Sequence, residues 1–280
     1  MTEDLLKVKT LLQTRGCSDR TVANYISSIN RFKRYFEGQD IETFNEDDIL
    51  NYIKVNFIDL GYSAASINVN RAAIKYYYLV NFNKDFNKVL LPACKIKNKF
   101  PVLISRNQGI NLIKTEMNLK HRIWWCLGYG SGLRINEVAT LKVSDILSKE
   151  HKIKVLGKGG KERFVPLPNL TFKLLCIYYK RYKHKFTDGY LFPSVKGNKL
   201  HISSFTIQQA FAKAKQNNNF DKSITFHTLR HSFATEYIKS GGDIWELRAI
   251  LGHCFINTTM IYLHMAEDFS NVKSPLDGVN

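Results

Sequence analysis

The amino-acid sequence predicts a mostly α-helical protein with one small antiparallel β-sheet, divided into two domains. Three observations carry this. Apolar residues recur at three- and four-residue spacing through most of the chain, the signature of helices that bury one stripe. A single stretch, "HKIKVLGKGGKERFVPLP" at 151–168, alternates with period two around a glycine turn, as a hairpin does. Between the first helices and the rest lies "LPACKIKNKFPVL", with a proline near each end, three lysines and no helical period, which marks a linker.

Four helices are expected in the first ninety or so residues: "EDLLKVKTLLQTRG", closed by Gly16, then "DRTVANYISSINRFKRYF", "NEDDILNYIKVNF" and "SAASINVNRAAIKYYYLVNF". In the second, Val22, Tyr25, Ile26, Ile29, Phe32 and Phe36 form one apolar stripe and leave Arg31, Lys33 and Arg34 on other faces. The division expected is a helical domain at 1–92, a linker at 93–102, a second domain at 103–270 and a tail at 271–280. The second domain opens with helices in "SRNQGINLIKTEMNL", "HRIWWCLGYGSG" and "INEVATL", passes through the hairpin and returns to helices. Toward its end, Gly241 and Gly242 stop a helix, and Asp243 with Glu246 three residues on makes a capping box. Gly252 ends the next helix just before His253, and Asn257 or Thr258 caps a last helix whose first turn carries Tyr262.

Composition limits the function classes. With 280 residues and 44% hydrophobic content the chain can build a packed core, and disorder is excluded as a class. A formal charge of +17 is far more than solubility needs and points to a polyanion, with nucleic acid ahead of an acidic membrane surface. No apolar run approaches the roughly 20 residues of a spanning helix. The opening "MTEDLLKVKTLLQ" is acidic and amphipathic, unlike a secretory signal, so a soluble cytoplasmic protein is expected. The cysteines (Cys17, Cys94, Cys126, Cys176, Cys254) are odd in number and never spaced as CxxC, so reduced thiols are the default.

The last third holds the chemistry. "HTLRH" puts His227, Arg230 and His231 into five positions, with His227 and Arg230 sharing a helix face and Leu229, Phe233 and Tyr237 turned to the core. Each residue has a plain structural explanation: a solvated arginine, a capping histidine, a packing tyrosine. His227 and His231 have metal-binding spacing, yet no HExxH glutamate and no nearby Asp or Cys accompanies them, so neither metal nor cofactor is expected. Cys254, beside His253, is expected to be a buried structural thiol.

Taken together and in order, "GSGLRINEVATLKVSDI", "VLGKGGKERFVPL", "HTLRH", "LGH" and "TTMIYLH" resemble the tyrosine recombinase (phage integrase) family over residues 103–270. The helical start suits that family's SAM-like core-binding domain. The resemblance implies that Arg134 and Arg230 bind phosphate, that Lys158 and His227 transfer protons, that His253 is a further phosphate ligand and that Tyr262 is the nucleophile. Glu137 matches the family's acidic support residue. Lys161 shares the turn with Lys158 and stays an alternative. The chemistry fits these residue types. With a pKa near 10, only about a thousandth of a free phenol is ionised at pH 7, and guanidiniums and an imidazole nearby are expected to favour the anion and to neutralise the phosphodiester. The implied activity is site-specific recombination through a 3′-phosphotyrosine link, on double-stranded DNA with inverted-repeat sites, by a homo-tetramer. A type IB topoisomerase, a catalytically silent DNA-binding protein and a metal-dependent nuclease are the alternatives. The terminal "VKSPLD" is similar to the tail of integron integrases, but their insertion ahead of "FPS" is absent. Simple integrase, transposon recombinase and chromosome-dimer resolvase therefore all stay open.

Overall fold

The computed structural model describes residues 1–96, 100–157, 160–183, 189–194 and 200–266. The chain divides into two compact units, 1–98 and 99–280.

The first unit is helical: α1 (Glu3–Thr14), α2 (Asp19–Tyr35), α3 (Glu46–Ile53) and α4 (Ala64–Phe82). Ser18 and Ser63 cap α2 and α4 through side-chain oxygens that accept from Thr21 N and Ser66 N, and Asn45 with Asp48 closes a full capping box on α3. Where a single helix was expected through Phe57, α3 continues into a π-helical turn, Lys54–Ile58, which still buries Phe57. The α2 stripe buries Val22, Ile29 and Phe32, while Tyr25, Ile26 and Phe36 pack against the core's edge. A part-buried polar tie links α1, α2 and α4: Asp4 accepts from Lys33 Nζ at 2.6 Å and from Tyr77 OH at 2.7 Å.

The second unit is built on α6 (Leu119–Ser131), which follows α5 (Arg106–Thr115). Ile123, Trp124, Trp125, Cys126 and Leu127 are consecutive and all buried, so the middle of α6 is covered on every face, while its first turn carries the partly exposed Lys120, His121 and Arg122. The short α7 (Ile135–Ala139) comes next, then β1 (Ile146–Leu147), β2 (Lys152–Leu156) and β3 (Glu162–Pro166) in one antiparallel sheet of order β1-β2-β3. The period-two pattern places Ile153 and Val155 inward, and the register sets Ile153 opposite Val165 and Val155 opposite Arg163. β1 adds an edge strand to the expected hairpin. The chain then continues through α8 (Asn169–Tyr182), α9 (Ser204–Asn217), α10 (Phe226–Lys239), α11 (Ile244–Leu251) and α12 (Asn257–Ala266).

Local expectations fail in the last third for tertiary reasons. Asp243 does cap α11, accepting from Trp245 N at 2.8 Å and Glu246 N at 2.9 Å. The reciprocal half of the box is not made, because the Glu246 carboxylate accepts from the Tyr237 hydroxyl instead. Asn257 and Thr258 are already helical rather than capping; the Phe255 carbonyl accepts from Thr258 N, and the Ile256 carbonyl from Thr259 N and Met260 N. Tyr262 consequently lies in the second turn of α12, not its first.

Candidate active site

Two helix ends build the site. Both α6 and α11 terminate in a glycine of left-handed conformation, Gly132 at φ +67° and Gly252 at φ +61°. Such an ending leaves the last carbonyls without helical partners and gathers partial negative charge there. Guanidiniums fill these places. Arg230 Nη1 donates to Gly132 O at 2.6 Å and its Nη2 to Leu251 O at 2.5 Å. Arg163 Nε donates to Ile250 O at 2.7 Å, and Arg134 Nη2 reaches Gly252 O at 3.5 Å. Glycine is also sterically required at both positions: a Cβ on Gly132 would stand 2.6 Å from the Phe233 ring, and one on Gly252 would stand 2.9 Å from Arg163 Cδ.

One carboxylate ties the three cations together. Glu137 accepts from Arg163 Nη1 at 2.9 Å and Nη2 at 2.8 Å, from Arg134 Nη1 at 2.9 Å and from the Arg134 amide at 2.8 Å, with Arg230 Nη1 3.9 Å away. Burial by itself would raise the Glu137 carboxyl, but the hydrogen bonds and charge of Arg163, followed by the Arg134 amide and guanidinium, hold it below its ordinary value. Three guanidiniums against one carboxylate leave the cluster net cationic. Arg134 is the open one, its side chain 35% exposed.

Arg230 differs from expectation in its burial. The helix-face assignment separated it from the packing residues, yet it is 4% exposed and as deep as Leu229 and Phe233 beside it. Burial, then the charge of Arg134, pushes its pKa down to about 9, so it stays cationic at neutral pH.

Two histidines, His231 and His253, flank the phenol. His253 directs Nδ1 to Thr259 Oγ1 at 3.0 Å and Nε2 to Arg230 Nη2 at 3.4 Å. A guanidinium can only donate, so the proton of the neutral ring sits on Nδ1. The ring is neutral at pH 7 because burial and the Arg230 and Arg134 charges lower its pKa to about 4. Tyr262 lies nearly parallel to it, with ring centroids 6.4 Å apart at 18°. The Tyr262 hydroxyl hydrogen-bonds His231 Nδ1 at 2.8 Å. His227 is exposed at the start of α10, and desolvation with the Arg230 and Arg134 charges lowers its pKa.

Tyr262 corrects a second expectation. The cations were expected to favour phenolate, and Arg230 and Arg134 do pull its pKa down. Burial outweighs them: the residue is 2% exposed and its pKa is raised. In this state the phenol is protonated. Cys254 is a third correction, for it is exposed rather than a buried structural thiol. Lys158 and the tail after Ala266 lie outside the described residues. Among the described residues, no group of three His, Cys, Asp or Glu side chains could hold a metal ion, and no helix is long and apolar enough to cross a membrane.

Sequence reasoning passed over Arg163 and left His231 without a partner. Arg163 had a local signal, because Val165 faces inward and Phe164 outward, so the alternation turns Arg163 inward with them. His231 had none, since its contact comes from a helix 31 residues away.

The model of the phage integrase family matches residues 106–268, and that of the phage integrase N-terminal SAM-like domain matches residues 5–86. A putative integrase/recombinase of Sinorhizobium fredii is 30% identical over 259 residues, spanning 92% of this chain and 82% of the relative. Tyrosine recombinase XerD of Staphylococcus epidermidis is 28% identical over 270 residues, 90% of each chain. In fold, the crystal structure of XerH site-specific recombinase, bound to palindromic difH substrate in a post-cleavage complex, superimposes with a TM-score of 0.75 at 21% identity, over 92% of this chain and 82% of that one.

Proposed function

We propose a residue-level mechanism for this chain, which belongs to the phage integrase family and is a site-specific DNA recombinase that cuts and rejoins DNA. Tyr262 Oη attacks a backbone phosphorus, forming a 3′-phosphotyrosine ester and releasing a 5′-hydroxyl. The ester retains the energy of the broken bond, so resealing by a 5′-hydroxyl needs no nucleotide cofactor. Arg134, Arg230 and His253 hold the phosphodiester, and planar guanidiniums suit its non-bridging oxygens because each donates two hydrogen bonds. A positioned donor aimed at charge that develops in the transition state contributes about 3 kcal/mol. Lys158, which falls between β2 and β3 in the sequence, protonates the leaving 5′-oxygen, His227 assists proton transfer, and Glu137 keeps the arginines in place.

The observation that carries this mechanism is the juxtaposition at the ends of α6 and α11: a phenol buried beside His253 and Arg230, with Arg134 the most solvent-accessible of the three guanidiniums. A phosphodiester entering over Arg134 meets an excess of cations and a hydroxyl nucleophile.

The partner is double-stranded DNA carrying paired inverted-repeat sites, bound mainly through phosphates and therefore sensitive to salt. The acting species is a homo-tetramer in the cytoplasm. Each chain offers one nucleophile and each attack breaks one strand, so exchanging two duplexes takes four chains.

The test uses the full chain with suicide DNA substrates in EDTA. A denaturation-resistant adduct is expected from the parent and none from Tyr262→Phe, with four protomers on two sites by mass measurement. An adduct from Tyr262→Phe would move the nucleophile elsewhere, Tyr237 first. Site-independent relaxation of plasmid by a monomer would replace recombination with topoisomerase action.

A further inference from the structure

Nucleophilic attack by a phenol requires something to take its proton, and among the described residues one basic group, not the His227 assigned to proton transfer above, is hydrogen-bonded to Tyr262. Glu137, the carboxylate of the cluster, has both oxygens engaged by Arg134 and Arg163. His253 has both ring nitrogens engaged elsewhere, Nδ1 on Thr259 and Nε2 on Arg230. His231 Nδ1 stands 2.8 Å from Tyr262 Oη, the one hydrogen-bond partner of that hydroxyl among the described residues. A buried O–H left without an acceptor loses more than a buried lone pair left unfilled, so the phenol donates and Nδ1 accepts.

We propose that His231 is the catalytic base for Tyr262, taking its phenolic proton as the phosphorus–oxygen bond forms and returning it when the bond is broken. The inference rests on Tyr262 being the nucleophile. In cleavage, the Oη–H bond breaks and Nδ1–H forms while Oη bonds to phosphorus and the bond from phosphorus to the 5′-oxygen breaks; that oxygen receives its own proton from Lys158. In resealing, the 5′-hydroxyl gives its proton back to Lys158 as its oxygen bonds to phosphorus, the bond from phosphorus to Tyr262 Oη breaks, and Nδ1 returns the phenolic proton to Oη.

The surroundings suit a base that is empty at rest. His227 and Arg230 face His231 from its own helix, Tyr262 faces it from α12, and His253 lies in the turn between α11 and α12. Burial, then the charges of His227 and Arg230, lower the ring's pKa to about 4, so it is neutral and able to accept at pH 7. Transfer to so weak a base is uphill in the resting state. It becomes favourable once phosphorus bonds to Oη, which acidifies the phenol, and the phosphate's negative charge strengthens the imidazole. Helix α10 thus presents Arg230 to the phosphate and His231 to the nucleophile from adjacent positions.

The experiment measures single-turnover cleavage of suicide DNA by the full chain. His231→Gln, which keeps an amide in reach but cannot take a proton, is expected to slow cleavage by about 10²- to 10³-fold, the range for a lost general base. DNA binding and thermal stability report that the fold survives, with His231→Asn as a second variant. Difluorotyrosine installed at position 262 ionises more readily, and it should recover most of the loss in His231→Gln. A bridging 5′-phosphorothiolate, whose sulfur leaves without a proton, should not. Cleavage by a folded His231→Gln within about threefold of the parent would overturn the proposal, as would recovery by the phosphorothiolate but not by difluorotyrosine. An adduct from Tyr262→Phe, by contrast, overturns the nucleophile assignment beneath it.

Discussion

Replacing Glu137 with glutamine removes one charge from the middle of three and changes almost no volume. The carboxylate, 9% exposed, accepts four hydrogen bonds from Arg163 and Arg134. An amide offers one accepting oxygen and turns an NH2 toward donors, so at least one guanidinium contact is lost and three cations face each other uncompensated. Removing one partner of a buried ion pair costs roughly 3–5 kcal/mol. Arg134 is partly solvated and recovers some of its loss in water, which sets the estimate at the lower end, about 3 kcal/mol. For a unit of this size that lowers the unfolding temperature by about 6–12 °C. The pH dependence has a definite sign. A carboxyl whose folded pKa lies below its ordinary value of 4.5 contributes stability that is complete above 4.5 and is lost as pH falls through the folded value. Calorimetry of parent and Glu137→Gln should therefore show a constant gap from pH 6 to 8 that closes only in acid. A gap under about 2 °C at pH 7, or one that closes between pH 8 and 6, would refute the central place given to this carboxylate.

Two further substitutions separate holding the phosphate from holding the fold. Arg134→Ala and Arg230→Ala should each lower suicide-substrate cleavage by at least about 10²-fold. In thermal unfolding Arg230→Ala alone should cost about 3–5 kcal/mol, because it strips the buried Gly132 and Leu251 carbonyls of their donor; equal stability of the two variants would contradict the burial difference. Thr259→Val, which deletes the fully buried hydroxyl bonded to His253 Nδ1, should slow cleavage by about three- to tenfold, the scale of one net hydrogen bond, and unchanged kinetics would free His253 from that tether.

The helices and the hairpin were legible because burial imposes a period: the apolar stripe on α2 and the inward pair Ile153 and Val155 could be read directly. Caps were less so. The motif Asp243-x-x-Glu246 states a local preference, and Tyr237 overrode half of it from the preceding helix. Arg163 shows a different limit. The alternation of β3 already turns Arg163 inward, but burying a charge is costly, and what offsets the cost is Glu137, 26 residues earlier, a partner that no local pattern displays. The burial of Tyr262 was hidden for the same reason. Charge counting pointed to an easily ionised phenol, whereas desolvation depends on how α12 packs, and desolvation is the larger effect.

The glycines at 132 and 252 connect these observations. Gly252 was legible as a helix stop and Gly132 was not singled out, and each does more than stop a helix, because a left-handed ending presents open carbonyls just where a guanidinium can reach them. The ends of α6 and α11 then supply partial negative charge that stabilises buried cations without adding a second carboxylate. That distinction bears on anion binding. A site that neutralised three arginines with three acids would be equally stable and would repel a phosphodiester. Carbonyl dipoles and one shared carboxylate hold the guanidiniums in place while leaving most of their charge uncancelled, with Arg134 open to solvent. On this physical ground the short motifs "GSGLR" and "LGH" belong together: Gly132 and Gly252 build the seat, and the arginines that sit there keep most of their charge uncancelled.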